Sequence, residues 1–201
     1  MSFTNVEKFE KAIAEFFGSP YAVATDCCTH AIELCLRYTK ADNITIPNRT
    51  YLSVPFTAEK LGLNWEWNYT PWVNFYLIGN TNIIDGAVLW DKDSYIPDTF
   101  TCISFQFQKH LNLGRGGMIL TDNKEAAKEL KRMSHDGRDP DVLWREQDIK
   151  SMGYHYYMTP ETAARGLLLL EDAKARKPEF WVETDWPDLS EMSVFKGYNK
   201  S

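Results

Sequence analysis

Lys109 stands inside SFQFQKHLNLGRGG, residues 104–117, where a strand-like run gives way to a glycine-rich turn. A primary amine at a strand end is a candidate nucleophile. On this segment alone it also reads as an ordinary solvated lysine. Upstream, NIIDGA puts Asp85 at the C-terminal end of a short apolar strand, where open α/β sheets present groups to ligands. An aspartate there can equally cap the next turn. The third segment, YAVATDCCTHAIELCL from Tyr21, is a strand and tight turn opening a helix at about Thr29. Backbone amides at a helix start bind phosphate without any special side chain, so this turn suits a phospholigand.

These groups need a sheet to bring them together, and the hydrophobic pattern supplies its elements. Val6, Phe9, Ile13, Phe16 and Phe17 recur at spacings of three and four, which predicts an amphipathic helix ended by Gly18. A strand at Tyr21–Ala24 leads into a helix carrying Ala31, Ile32, Cys35 and Leu36. Asn43–Ile46 predicts a strand closed by Pro47, followed by a helix from about Tyr51 to Leu61. Trp65–Trp67, Val73–Ile78, Asn82–Ile84, Phe100–Phe105 and Met118–Leu120 read as extended segments. Asp122 with Glu125 predicts a capping pair for a helix through Met133, and Thr159-Pro160 opens another that reaches about Ala175. Strands alternating with helices predict an α/β fold with a mainly parallel sheet flanked by helices.

At 201 residues, with 44% hydrophobic and 25% charged residues, the chain is long enough to bury one sizeable core. The net charge of −6 leaves no basic stripe, which argues against nucleic acid as the main partner. No apolar run reaches the roughly 20 residues of a membrane span, and MSFTNVEKFEK lacks a signal-peptide centre, so a cytoplasmic protein is expected. Cys27, Cys28, Cys35 and Cys102 form no CxxC pair, and the four histidines are dispersed, so no metal site is expected.

Taken together and in order, the segments resemble the DegT/DnrJ family of sugar aminotransferases, which are fold type I pyridoxal-phosphate enzymes. FEKAIAEFFGSPYAVATDCCTHAIELCL is similar to the family's opening helix, its Gly-x-x-Tyr-Ala-Val strand and its Ser-Gly-Thr turn. ITIPNRTYLSVP matches a Pro-x-x-Thr-Tyr segment, NIIDGAV an Ile-Glu-Asp-Ala-Ala segment, and SFQFQKHLNLGRGG a Ser-Phe-x-x-x-Lys segment followed by Gly-Glu-Gly-Gly. MGYHYYMTPETAARGLLLLE resembles Gly-Tyr-Asn-Tyr-Arg-Met-Thr and its helix. The likeness runs from about Phe9 to Glu171.

The resemblance implies pyridoxal 5'-phosphate as cofactor, with Lys109 as the amine that bonds to its aldehyde and then shuttles a proton. It implies that Asp85 keeps the pyridine nitrogen protonated, so that the ring acts as an electron sink. Tyr51 would stack on the ring, Ser104 and the Cys28-Thr29 turn would hold the phosphate, and His155 would reach that phosphate from a neighbouring subunit of a homodimer. The implied reaction moves an amino group from glutamate or glutamine to a keto sugar, by analogy a nucleotide-linked one. Two alternatives stand beside it: a dehydratase-like reaction on the same fold, and an inactive remnant that serves as a binding subunit.

The departures are as specific as the matches. Cys28 occupies the glycine position of the phosphate turn, Val88 that of a supporting Gln or His, and Arg115 that of a glutamate. Tyr157 stands where the family has arginine or asparagine, and His155 where it has asparagine. The family's connection is shortened between about residues 65 and 84, and its C-terminal small domain is expected to be essentially missing. The expected organisation is a pyridoxal-phosphate-binding α/β domain over 1–175 and an irregular, aromatic and acidic tail over 176–201. That tail either wraps the body or its partner as a substitute lid, or is a loosely ordered terminus.

Overall fold

The computed structural model describes residues 3–196; positions 1–2 of the expected domain and 197–201 of the expected tail lie outside them. Among the described residues, five α-helices and seven β-strands follow one another. They are α1 (Thr4–Phe17), β1 (Tyr21–Thr25), α2 (Cys28–Thr39), β2 (Asn43–Pro47), α3 (Ser53–Leu61) and β3 (Asn64–Asn68) in the first third. Then come β4 (Tyr76–Ile78), β5 (Ile83–Gly86), β6 (Phe100–Ser104), β7 (Gly117–Thr121), α4 (Lys124–Ser134) and α5 (Pro160–Ala175).

The α/β class holds, and the sheet is mixed where a mainly parallel one was expected. Strands run in the order β1-β7-β6-β5-β4, with only β5 and β6 parallel; β2 and β3 form a separate parallel pair. The short link after β3 accounts for one of the three antiparallel pairs, β4 with β5. Parallel neighbours need a crossover of a dozen or more residues, whereas β4 returns into β5 through only four residues, Gly79–Asn82, and can pair only antiparallel. Gly79 also exchanges backbone hydrogen bonds with Thr45, at 2.9 and 3.3 Å, which ties β2 to the end of β4.

Alternating strand residues feed two cores, as strand geometry requires. Val23, Cys102 and Ile119 pack with α2 and α4 on one face, while Ala24, Ile103, Met118 and Leu120 pack with α1 and α5 on the other. The spacing read from the sequence buries Val6, Phe9, Ile13, Phe16 and Phe17 of α1 together. Burial of each such large apolar side chain stabilises by roughly 1.5–3 kcal/mol. Gly18 ends α1 in the left-handed region at φ 76°, which a glycine adopts without strain.

Two local expectations are corrected. The N-cap of α4 is Asn123, whose side chain accepts from the Ala126 amide at 3.0 Å; Asp122 instead accepts from the Asp98 amide. The two positions are adjacent and chemically similar, so pattern alone did not separate them. α3 begins at Ser53, two residues after Tyr51.

The tail follows the body over its described length. Asn74 and Trp181 exchange two hydrogen bonds of 2.9 Å, Arg49 donates to the Trp186 carbonyl at 2.7 Å, and the Leu189 amide donates to Asn48 at 2.8 Å. Trp186 packs on Trp72 and Trp181, and Phe195 on Phe56, Trp65 and Trp67. The wrapping alternative is therefore the observed one. Among the described residues no helix is long and apolar enough to cross a membrane.

Candidate active site

Asp85 lies in β5, directly opposite Tyr76 of β4 and beside Cys102 of β6. Its carboxylate is buried and doubly bonded: Oδ1 accepts from the Ala87 amide at 2.9 Å and Oδ2 from the Tyr76 hydroxyl at 2.6 Å. Burial pushes the Asp85 carboxyl above its usual range, against the pull of Tyr76, Ala87 and the Lys109 charge.

Lys109 follows β6, in a turn closed by its own amide on the Gln106 carbonyl at 2.9 Å. Burial lowers its ammonium below the ordinary lysine range, opposed by the Asp85 charge. A larger fraction of neutral, nucleophilic amine is the consequence. Lys109 and Asp85 line one narrow cavity with Thr50, Tyr51, Trp72, Tyr76, Ala87, Val88 and Trp186. Its volume is about 30 Å³, room for one water and too little for an aromatic ring. A second cavity of about 200 Å³ opens between Lys109, Ser104, Val88 and the start of the tail at Arg176–Glu179.

The start of α2 adjoins this site because β7 places a glycine beneath it. A Cβ on Gly117 would sit 2.6 Å from both the Cys27 carbonyl oxygen and the Cys28 amide nitrogen. Ser104 pairs with Gly117 across β6 and β7, so its hydroxyl belongs to the same corner. Among the described residues no side chain caps α2, and Thr29 Oγ1 lies 2.8 Å from Ser53 Oγ. The Cys28 thiol is buried in the core and held neutral, chiefly by burial and then by the Asp85 charge. Its backbone amide is then the group it can offer to an anion.

Of the residues singled out in the sequence, Lys109, Asp85 and Tyr51 come together around one cavity, with Ser104 beside Lys109. The Cys28-Thr29 turn joins them across Gly117. His155 lines neither cavity; it is exposed and bonded to Asp136 at 3.0 Å. Arg115 ion-pairs with Asp26 at 2.8 Å, tying the glycine-rich turn to the loop before α2. Tyr76, Thr50, Trp72 and Trp186 also line the site; Thr50 stands in the Pro-x-x-Thr-Tyr segment without having been singled out, and the one signal for Tyr76 was a strand-like run.

The donor set suits pyridoxal phosphate. An amine stands ready for an aldehyde, a buried carboxylate for a protonated ring nitrogen, and two hydroxyls with an uncapped helix start for a phosphate. The fold is that of the large domain of fold type I pyridoxal-phosphate-dependent transferases. The chain belongs to the DegT/DnrJ/EryC1/StrS aminotransferase family, whose sequence profile matches residues 1–65 and 87–178. Residues 66–86, which carry β4, Tyr76 and Asp85, fall between the matched segments.

Similar solved structures include AtS13 from Actinomadura melliaura, at 20% identity and a TM-score of 0.71, covering 84% of this chain and 60% of that one. The sugar aminotransferase CalS13 from Micromonospora echinospora is similar at 14% identity and a TM-score of 0.68, with 84% and 60% covered. DesI, solved with its TDP-sugar product, is similar at 18% identity and 0.67, with 86% and 54% covered. A 90-residue stretch is 34% identical to an uncharacterized protein of Methanocaldococcus jannaschii, covering 41% of this chain and 23% of that protein. The chain thus spans at most about 60% of the length of these solved relatives.

Beside the site, His30 and Asp26 form a pair with a directly testable pH dependence. His30 Nδ1 lies 2.6 Å from Asp26 Oδ1, and its ring stacks on Tyr156 at 3.6 Å. Burial works against the charge, but the bonds to Asp26 and Cys27 outweigh it and raise His30 from 6.5 to about 9. A raised histidine stabilises the fold fully below its unfolded pKa and loses that contribution as pH rises through the folded value. The stability advantage of wild type over His30→Gln is therefore expected to shrink by up to about 3 kcal/mol between about pH 6 and pH 10. Urea unfolding at both pH values measures it, and a constant difference would contradict the pairing.

Proposed function

We propose that this chain is a pyridoxal-phosphate-dependent aminotransferase that moves an amino group from glutamate or glutamine to a keto sugar carried on a nucleotide. The observation that carries this reading is the convergence of a desolvated Lys109 and a buried Asp85 on one cavity beside the uncapped start of α2. The bound cofactor would supply an aldehyde and an electron-withdrawing ring. Lys109 would anchor it and carry a proton on Nζ; Asp85 would hold the ring-nitrogen proton by charge. Ser104, Thr29 and the amides at Cys28 and Thr29 would bind the phosphate, and Tyr51 would cover the ring. Trp72 and Trp186 would keep water from Asp85.

In this reading residues 1–175 form the cofactor-binding body and 176–201 the tail, of which the described part, 176–196, lies over the body. The protein works in the cytoplasm as a homodimer, with His155 reaching the partner's phosphate site; neither nucleic acid nor membrane is a partner. The exposure of His155, which lines neither cavity of its own chain, supports this role. The DesI complex supports the nucleotide-linked acceptor.

Visible absorption of the protein mixed with pyridoxal phosphate tests the reading. A new band is expected, and glutamate or glutamine should convert it to the spectrum of the amine form. No band would overturn the enzyme reading. A band that neither donor changes would overturn amino transfer and leave another reaction on the same fold.

A further inference from the structure

We propose that Tyr76, itself held by Thr50, is a positioning residue that keeps the Asp85 carboxylate ionised and fixed within the site. The inference rests on the reading of Asp85 as the partner of a cofactor nitrogen, and extends it to a residue outside the segments that match the family profile.

The three side chains are buried: Thr50 is 3% exposed, Tyr76 7% and Asp85 5%. The Tyr76 hydroxyl lies 2.6 Å from Asp85 Oδ2 and 2.6 Å from Thr50 Oγ1. A phenol has one proton, and an ionised carboxylate can only accept, so Tyr76 donates to Asp85. Thr50 must then donate to Tyr76. The result is a directed chain, Thr50 to Tyr76 to Asp85, in which each bond polarises the next.

The other groups facing Asp85 do not substitute for this chain. Lys109, from the turn after β6, contributes charge, but burial already lowers its own ionisation. Cys28 from α2 and Cys102 from β6 are thiols pushed well above their usual range, chiefly by burial, and remain neutral. Val88, where the family places a supporting Gln or His, has no polar group to offer. The Ala87 amide takes Oδ1, leaving Tyr76 as the side-chain donor on Oδ2. Its antiparallel register, Tyr76 opposite Asp85, exists because the shortened connection returns as β4. Each carboxylate oxygen keeps a lone pair, so a further donor can still approach.

A cofactor-free experiment decides the point. Urea unfolding of Tyr76→Phe is compared with wild type from about pH 4 to about pH 8.5, in the native and in the Asp85→Asn backgrounds. Losing the phenol should raise the Asp85 pKa further. The folded-to-unfolded ratio should therefore fall about tenfold more at the upper pH than at the lower, the equivalent of one pKa unit. That extra loss should vanish with Asp85→Asn. A loss equal at both pH values, or one that persists with Asp85→Asn, would reduce Tyr76 to packing and overturn the proposal.

If Tyr76→Phe does not fold, Thr50→Val is measured in the same way; it should show the same pH-dependent direction, and a flat profile overturns the proposal. Binding of pyridoxal phosphate forms a separate arm, in which Tyr76→Phe should weaken affinity about tenfold, as loss of a bond to a charged group does. A wild-type protein that binds no pyridoxal phosphate would remove the proposed function, while the cofactor-free comparison still decides the role of Tyr76.

Discussion

Lys109→Ala is expected to abolish covalent capture of pyridoxal phosphate. Wild-type protein treated with the cofactor and borohydride should gain one pyridoxyl phosphate group by mass, and the variant none. Amino transfer should fall by at least about 10³-fold, since the same amine is both the anchor and the proton carrier. The fold should survive, because Lys109 sits in the site with its charge disfavoured by burial. The sign of its pH effect also follows. Between its lowered pKa and 10.5 the unfolded chain binds more protons than the folded one, so this group's contribution to stability rises with pH through that window. In Lys109→Ala that rise should be missing from urea titrations. Capture persisting in the variant would place the reactive amine elsewhere.

Gly117→Ala is expected to produce a large loss of stability. The new carbon would meet backbone rather than a flexible side chain: the Cys27 carbonyl and the Cys28 amide. β7 is paired on both sides, to β1 and β6, so neither the strand nor the helix start can shift without breaking a ladder. Overpacking typically costs about 1–3 kcal/mol, and contact with paired backbone places this substitution at the upper end. Gly62→Ala provides the contrast, since at φ 67° its Cβ meets nothing within 4 Å and the expected cost is only about 1 kcal/mol of backbone strain. Urea unfolding of the two variants measures the difference; equal losses would show that the close approach at Gly117 is not what requires a glycine. Because Gly117 sets the height of the α2 start, Gly117→Ala should also weaken phosphate binding in whatever protein folds.

The sequence was most legible where the physics is local. The i, i+3, i+4 stripe of α1, the Thr159-Pro160 start of α5 and the strand that runs into α2 each depend on neighbours within a few residues. They appear in the structure within one or two positions of where the pattern places them. The Asn123 cap was missed because two adjacent residues are both good caps, and only backbone geometry chooses between them. The mixed sheet was missed for a different reason. Strand direction depends on how long the connections are and where they lead, and alternating apolar residues look alike in parallel and antiparallel neighbours.

The same division runs through the candidate site. Lys109, Asp85, Ser104, Tyr51 and the Cys28-Thr29 turn were legible because they lie in short segments whose order along the chain resembles a family. Their partners were not. Tyr76 meets Asp85 through strand register, Thr50 reaches Tyr76 across 26 residues, and Trp186 closes on Trp72 from the tail. By itself the sequence determined which chemical groups the protein carries, the helices that present them and the family to which they point. Tertiary structure alone decided which buried hydroxyl would face the carboxylate, how little room remains beside it, and that the aromatic tail lies over the body. Those outcomes depend on contacts between residues far apart in the chain, where packing and desolvation, rather than local spacing, select the partner.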